Sequence, residues 1–197
     1  SMGYWRVGGP VENLVFVESV DDIKSLYQLA PSISVLGAGS NMLVADEGVS
    51  GISIQLKGPL SVVHTIDNDG VAIVGGGIKN QRLLSTLKKK KVGGIGCLAG
   101  VPGTLGGAVR MNAGAKSGEI CDRVIRIECV DIDGKIRLIE NADLKFAYRH
   151  CNGLPWGAVV TRVWLQLDAD NFESEQVSIQ SHLDRRKATQ PLTLPSC

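Results

Sequence analysis

Apolar and polar positions along residues 10–57 follow a pattern that predicts a small β-α-β-β unit. Apolar runs and alternating positions predict strands at 14–17, 33–36 and 51–56. Ser19, followed three residues later by Asp22, forms a capping-box pattern that begins a helix running through Leu29. We expect the first two strands to pair in parallel.

After Ser61 the pattern becomes that of antiparallel sheet. The succession SVVHTI, DNDG and VAIVGG is typical of a β-hairpin, and a helix is predicted over residues 80–91. Further strand signals are the alternation of Ile125, Ile127 and Cys129 with Arg126 and Glu128, the turn at Asp133-Gly134, and the apolar segment 158–167. The predicted class is therefore α+β, with a first lobe over residues 3–58 and a second lobe over residues 59–170.

The end of the chain carries one more helix signal. The spacing of Val177, Ile179 and Leu183 predicts a helix over residues 173–188 that ends near Pro191. Residues 171–197 therefore leave the second lobe on a helix.

Composition and charge narrow the class of protein. Of the 197 residues, 44% are hydrophobic and 21% are charged, a globular balance, and the net charge is +1. The basic run 88–91 fits a cationic helix end, whereas a phosphate-tracking patch needs basic residues spread over a face, so we expect no nucleic-acid partner. No segment is typical of a signal peptide or a bilayer span, so we expect a cytoplasmic protein without a membrane partner.

The cysteines and histidines predict neither disulfides nor a metal site. The odd number of cysteines and the absence of a Cys-x-x-Cys motif are typical of reduced thiols; the five are Cys97, Cys121, Cys129, Cys151 and Cys197. His64, His150 and His182 are far apart in the sequence, and no second ligand stands at metal spacing.

The segment VLGAGSN places Gly37 and Gly39 at the end of a predicted strand. It does not match the Rossmann dinucleotide fingerprint, because Met42 stands where the third glycine is required and no helix obviously follows. The backbone N–H groups of such a tight turn can form a nest that holds a pyrophosphate. The alternative is a structural turn between two strands.

A second glycine-rich segment, residues 100–115, predicts a turn that enters a helix with Thr104 as its N-cap. Its glycines, at positions 100, 103, 106 and 107, leave unpaired N–H groups able to face an anion. Two anion-binding loops on one chain indicate one diphosphate, and the alternative is tight packing of a helix on a sheet. A third cluster, VGGGIKN at 74–80, gives a weaker signal.

Five motifs occur in a fixed order: RVGGP at 6–10, GAGSNML at 37–43, GVPGTLGGAVRMNAGA with GEI between 100 and 120, FAYR at 146–149, and RRKATQPLTLPS at 185–196. Together they resemble the MurB family of bacterial UDP-N-acetylenolpyruvoylglucosamine reductases over nearly the whole chain. The resemblance implies the FAD-binding fold shared with p-cresol methylhydroxylase and vanillyl-alcohol oxidase, in which two α+β lobes hold FAD between them.

The resemblance also implies the cofactors and their site. FAD would be held noncovalently, with its pyrophosphate on the N–H groups of residues 37–41 and 103–107, and NADPH would be the hydride donor. The implied cofactor-binding residues are Gly37, Ala38, Gly39, Ser40, Asn41, Met42, Val101, Pro102, Gly103, Thr104, Gly106, Gly107, Ala113, Gly114, Glu119 and Ile120.

The chemistry implied by the resemblance is hydride transfer from reduced flavin to the enolpyruvyl ether of a UDP-sugar, which gives the lactyl ether used in peptidoglycan. Arg149 would stabilise negative charge on the substrate carboxylate, and Tyr148 would orient it. Without the family, the same two residues are interpreted as a half-buried aromatic beside a surface cation. Cys151 stands where relatives often carry Ser and is given no role.

The ends of the chain depart from the family pattern. In relatives the C-terminal motif leads to a serine that protonates the enol and to a third, substrate-binding domain with an essential glutamate. The chain stops at Cys197, and Ser1-Met2 is typical of an expression remnant, so we expect a fragment in which residues 171–197 begin the third domain. The chain is then either the FAD-binding part of a reductase or a flavin-binding module without turnover. A third alternative, in which the glycine loops are structural and bind no nucleotide, is disfavoured by the motifs taken together.

Overall fold

The computed structural model describes residues 7–30, 32–115 and 118–190. Arg6 of the first motif, Pro191 with the rest of the last motif, and Cys197 lie outside these ranges. The first lobe is a parallel sheet with one helix, and its elements are β1 (Val11–Val17), α1 (Val20–Leu29), β2 (Ile33–Val35) and β3 (Val49–Leu56).

The order of the strands in this sheet is β1-β3-β2, and β3 pairs in parallel with both neighbours. The expected pairing of the first two strands is therefore wrong, although the three strands are parallel. The physical reason is burial, since Ser53, Ile54 and Leu56 of β3 are almost fully covered. A strand covered on both faces belongs in the middle of a parallel sheet.

Helix α1 begins as the sequence predicts. The hydroxyl Oγ of Ser19 accepts a hydrogen bond from the Asp22 backbone N–H at 3.1 Å, and Asp22 Oδ2 accepts from the Ser19 N–H at 2.9 Å. Backbone hydrogen bonds from Glu18 and Ser19 hold the pKa of the Asp22 carboxyl below its usual value. The capping box is therefore confirmed.

The second lobe is built on an antiparallel sheet of five strands in the order β4-β5-β12-β8-β9. Its elements, in chain order, are β4 (Val63–Ile66), β5 (Val71–Gly75), α2 (Asn80–Lys89), α3 (Leu105–Arg110), β6 (Gly114–Ala115), β7 (Gly118–Glu119), β8 (Val124–Val130), β9 (Ile136–Glu140), α4 (Asn141–Leu144), β10 (Phe146–Ala147), β11 (His150–Cys151), β12 (Val159–Gln166) and α5 (Phe172–Thr189). The predicted hairpin β4–β5, helix α2, turn at 133–134 and last strand β12 are confirmed.

The expected alternation along β8 is only partly present. Ile127 and Cys129 are buried, but the carboxylate of Glu128 is buried as well. It accepts a hydrogen bond from Thr161 Oγ1 at 2.7 Å and forms an ion pair with Arg162 at 3.1 Å. A buried charge is tolerated here because neighbouring β12 supplies both partners.

The two lobes share part of one hydrophobic core. Val130 and Val159, from the five-stranded sheet, belong to the same buried cluster as Ile23 and Ile54 of the first lobe. Tyr27 of α1 donates a hydrogen bond through its hydroxyl to the Gly157 carbonyl oxygen at 2.6 Å, and burial raises the pKa of this tyrosine to about 12. The predicted boundary after residue 58 stays a prediction.

Helix α5 confirms the element predicted over 173–188, and two of the three apolar positions that predicted it, Ile179 and Leu183, are half-buried. Val177 is 72% exposed, whereas Phe172 is buried. The Glu175 carboxylate accepts from the backbone N–H groups of Gly94, at 2.9 Å, and Gly96, at 2.8 Å. In the part of the chain that the structure describes, no helix is long and apolar enough to cross a membrane.

Replacing Glu175 with alanine removes the acceptor for these N–H groups, and we expect the free energy of unfolding to fall by about 1–3 kcal/mol. Chemical denaturation followed by circular dichroism measures this change. Glu173, which is exposed on the same helix, is the matched control, and Glu173→Ala should stay within about 0.5 kcal/mol of the parent. Equal losses from the two variants would contradict the assigned contact.

Candidate functional site

A cleft of about 1150 Å³ lies between the two lobes. This volume is at the upper end of ordinary ligand sites, about 300–1,000 Å³, and suits an extended ligand. The first lobe contributes segment 32–42 with Gln55 and Leu56, and the second lobe contributes segments 100–104 and 106–108 with residues from several other elements.

The two predicted anion-binding loops face each other across this cleft. A methyl group added at Gly37 would lie 2.9 Å from Thr104 Oγ1, and one added at Gly103 would lie 3.3 Å from Ser40 Oγ. Both loops also require glycine conformations, since φ is +65° at Gly39 and +129° at Gly103. Chain segments about 65 residues apart therefore form one narrow, side-chain-poor channel.

The third glycine cluster, residues 74–80, is joined to the 101–107 segment by backbone hydrogen bonds. Backbone N–H groups of Gly106 and Leu105 donate to the carbonyl oxygens of Gly76, at 2.7 Å, and Ile78, at 2.9 Å. A methyl group at Gly106 would lie 3.1 Å from the Gly76 carbonyl oxygen, so this glycine is needed for close packing. The packing interpretation thus holds for Gly106, which also lines the cleft together with Gly103 and Gly107.

Helix α3 begins where expected, because Thr104 Oγ1 accepts from the Gly107 N–H at 3.4 Å. Gly107 has open space on its other side, since an added methyl group would contact only that hydroxyl, at 3.5 Å. Its Cα hydrogens therefore border the cleft directly.

The charged side chains among the described residues that line the cleft are all positive. Four cations, Arg110, Arg149, Arg186 and Lys187, are among the described residues that line it, and no aspartate or glutamate is. Arg110 donates to the Ala158 carbonyl oxygen at 2.9 Å; burial lowers the pKa of its guanidinium, which remains protonated at neutral pH. An anionic ligand would find favourable charge here without opposing carboxylates.

Tyr148 and Arg149 form the two-residue turn of the β10–β11 hairpin. Arg149 has φ of +56°, its Nη1 donates to the Gly114 carbonyl oxygen at 3.4 Å, and its guanidinium lies 5.3 Å from the centre of the Tyr148 ring. Arg149 lines the cleft, whereas Tyr148 is 81% exposed and does not line it. A non-glycine residue in this backbone region is uncommon and is often found at functional sites.

The hairpin is held in place by Asn112, which the sequence reasoning did not select. Its Nδ2 donates to Glu119 Oε2 at 2.6 Å and to the Ala147 carbonyl oxygen at 3.2 Å, and its Oδ1 accepts from the Cys121 N–H at 3.2 Å. Asn112 is buried and adopts φ of +40°. Glu119 therefore contacts the support of the Arg149 hairpin.

Fourteen of the sixteen predicted cofactor-binding residues line the cleft. The two others are Glu119, described above, and Ile120, which is fully buried in the core of the second lobe. Direct contact of these sixteen residues with a cofactor stays a prediction.

Several lining residues carried no sequence signal. Asn80 is 1% exposed, and its Oδ1 is buried without a hydrogen-bond partner among the described residues. Trp156 is 75% exposed at the cleft, on a loop that Arg110 and Tyr27 hold by hydrogen bonds to Ala158 and Gly157. The one sequence signal for Trp156 is its position between Pro155 and Gly157, which are typical turn residues. Asn80 is included only as the last residue of the weak 74–80 cluster and the first of the predicted helix.

The described cysteines, Cys97, Cys121, Cys129 and Cys151, are free thiols, and none lines the cleft. Burial raises the pKa of Cys97 to about 12 and that of Cys129 to about 11, so neither is a thiolate at neutral pH. Cys151 donates to the Leu144 carbonyl oxygen at 3.3 Å. Within the described ranges no three His, Cys, Asp or Glu side chains converge as metal ligands.

The fold and the cleft define an FAD-binding domain, and the family model described as "FAD binding domain" matches residues 11–139. The fold alone is also similar to that of alkyldihydroxyacetonephosphate synthase, with a TM-score of 0.60 at 24% identity over 79% of this chain and 31% of that one. This is the two-lobed fold of the p-cresol methylhydroxylase and vanillyl-alcohol oxidase type.

More similar proteins define the family more narrowly. UDP-N-acetylenolpyruvoylglucosamine reductase of Myxococcus xanthus is 38% identical over 97% of this chain and 63% of its own length, and that of Bacillus subtilis is 36% identical over 96% and 64%. The crystal structure of MurB from Thermus caldophilus matches with a TM-score of 0.82 and 36% identity over 96% of this chain and 67% of that one. The chain belongs to the MurB family and spans just under two thirds of the length of these curated relatives.

Gly107→Leu should abolish FAD retention while the protein stays folded. The added side chain would not clash with other residues, but it would occupy space in the cleft that FAD needs. FAD content is measured by absorbance after purification, and folding is measured by circular dichroism. Gly106→Leu is the contrasting variant, since its Cβ would lie 3.1 Å from the Gly76 carbonyl oxygen, a tight backbone contact, and the change should destabilise the fold itself. Full FAD occupancy in Gly107→Leu would contradict the prediction that FAD binds close to Gly107.

Proposed function

We propose that the chain is the FAD-binding part of an NADPH-dependent reductase that converts UDP-N-acetylglucosamine enolpyruvate to UDP-N-acetylmuramate in cytoplasmic peptidoglycan synthesis. The observation that carries the proposal is the meeting of residues 37–41 and 103–107 across a cleft whose described lining includes four cations and no carboxylate. The names of the family relatives supply the reaction.

The residues present fit FAD. A glycine-bordered channel admits a diphosphate close to backbone N–H groups, and the four cations favour its negative charge. The described lining includes no cysteine, histidine or tyrosine, the side chains that most often attach a flavin covalently. FAD is therefore held noncovalently, by segments 37–42 and 101–104 with Gly106, Gly107, Ala113 and Gly114, and with Glu119 and Ile120 nearby.

When bound, FAD supplies the carrier that accepts hydride from NADPH and delivers it to the substrate. Arg149 binds the carboxylate of the enolpyruvyl group and stabilises the negative charge that develops next to it. Its anchoring to the Gly114 carbonyl oxygen and to the hairpin turn limits the reorganisation needed for this task. Tyr148, beside the guanidinium, orients it and covers the substrate from the solvent side.

We propose that the substrate site of the reductase is completed by the part of the enzyme that lies beyond the region matched here. The curated relatives extend well beyond the matched region, since the chain covers 63% and 64% of two of them. Within the chain, Arg149 lines the cleft, and both Arg149 and the adjacent Tyr148 are exposed. We assign the proton donor for the enol and most of the UDP-sugar site to the part of the reductase that these residues would face.

A flavin-binding module without turnover is the second candidate, favoured by the 81% exposure of Tyr148. A site with its substrate-orienting side chain in solvent gives little positioning of the reacting groups. The two candidates share FAD binding and differ only in product formation.

The role of Arg149 is tested in a full-length family enzyme carrying the corresponding Arg149→Ala change. We expect flavin reoxidation by the enolpyruvyl sugar to slow by about 10²- to 10³-fold, because one charge-stabilising donor is lost. Flavin reduction by NADPH should be unchanged, and stopped-flow absorbance resolves the two half-reactions. His150→Ala, in the same hairpin, is the control; equal slowing of both half-reactions would instead assign Arg149 to flavin holding.

The division of labour is tested by supplying the 197-residue protein with FAD, NADPH and the enolpyruvyl sugar. We expect flavin retention but no lactyl product by mass spectrometry, because general acid catalysis needs a donor within hydrogen-bond reach. Product formation at the rate of a full-length relative would place the whole reaction in these two lobes. Failure of the protein to retain FAD would overturn both candidates.

A further inference from the structure

The side chain of Asn80 presents an unused hydrogen-bond acceptor at the cleft. Asn80 is the first residue of α2, is 1% exposed, and lines the cleft. Its Oδ1 is the only buried side-chain oxygen without a hydrogen-bond partner in the ranges 7–30, 32–115 and 118–190. A buried acceptor that stays unpaired is costly, so a structure that keeps one usually has a ligand or water to pair it.

The orientation of the amide follows from its other contact. Nδ2 of Asn80 donates to the Val101 carbonyl oxygen at 3.3 Å. A carbonyl oxygen can only accept, so the amide must turn its NH₂ group toward Val101 and its Oδ1 away from it. Rotating the amide would bring two oxygens together and leave both acceptors unpaired.

The position of Asn80 restricts what the donor can be. Its backbone N–H donates to the Gly103 carbonyl oxygen at 3.0 Å, and a methyl group at Gly103 would lie 3.7 Å from Asn80 Nδ2. The amide therefore borders the same loop that the diphosphate approaches. A diphosphate is ionised at neutral pH and has no proton to donate, so the partner of Oδ1 belongs to a neighbouring group of the ligand.

We infer that Asn80 Oδ1 accepts a hydrogen bond from a sugar-type hydroxyl adjoining the diphosphate, either the ribityl chain or the ribose of the dinucleotide. This inference rests on the proposed FAD binding and adds a recognition residue to it. Asn80 then distinguishes a ligand with a polyol beside its phosphate from a simple anion, which the cations alone cannot do.

The test measures FAD affinity of the 197-residue protein by titration for Asn80→Leu and for Ser85→Ala. Leucine is close to asparagine in shape but has no acceptor, and we expect FAD binding to weaken about tenfold. Ser85 is exposed on the same helix, is not among the described residues that line the cleft, and is the matched control, with an expected change below about twofold. Thermal unfolding of the ligand-free proteins reports folding, and Asn80→Ala replaces the leucine variant if that variant does not fold.

Two smaller probes identify the hydroxyl and separate direct contact from loop positioning. FMN carries the ribityl chain, and ADP carries the ribose with the diphosphate. A loss confined to FMN assigns the ribityl chain, and a loss confined to ADP assigns the ribose. Equal weakening of both probes would mean that Asn80 acts only by holding the 101–104 loop, and unchanged FAD binding would mean that Oδ1 is not used; either result overturns the inference. If the unsubstituted protein binds no FAD, the proposed function itself fails.

Discussion

The proposed cofactor site depends on the backbone hydrogen bonds that join residues 76–80 to residues 103–106. Gly106 and Leu105 donate to the carbonyl oxygens of Gly76 and Ile78, and the Asn80 N–H donates to the Gly103 carbonyl oxygen. The approach is tightest between Gly106 and Gly76, where an added methyl group would lie 3.1 Å from the Gly76 carbonyl oxygen, and the three bonds fix the position of the 103–107 loop. Only when this loop holds its position does Gly37 lie close to Thr104 and can the Asn80 amide donate to the Val101 carbonyl oxygen.

Charge at the cleft is a local property that the whole chain does not reveal. The net charge is +1, yet the described lining contains four cations and no carboxylate. The acidic residues are used elsewhere, as in the Asp22 cap, the Glu128 pair with Arg162, and the Glu175 contact with the 94–96 backbone. Segregation of the two signs, rather than an excess of one, gives the cleft its preference for anions.

The Arg149 hairpin and the cofactor loops are connected through one buried amide. Asn112 lies two residues after α3 and donates to both Glu119 Oε2 and the Ala147 carbonyl oxygen, so α3, capped by Thr104 at its start, leads into the support of the hairpin. This short helix thus connects the proposed diphosphate-binding loop to the proposed substrate-binding guanidinium.

The sequence by itself determined the features that depend on neighbours along the chain. The Ser19 capping box, the 63–75 hairpin, the turn at Gly134 and the N-cap at Thr104 are local, and the ordered motifs were enough to indicate the family. Only the tertiary structure decided that β3 separates the first two strands, that the 74–80 cluster supports the 101–107 segment, and that Asn80, Asn112 and Trp156 lie at or beside the site. Those outcomes depend on burial and on contacts between distant segments, which a local pattern of apolar and polar residues does not encode.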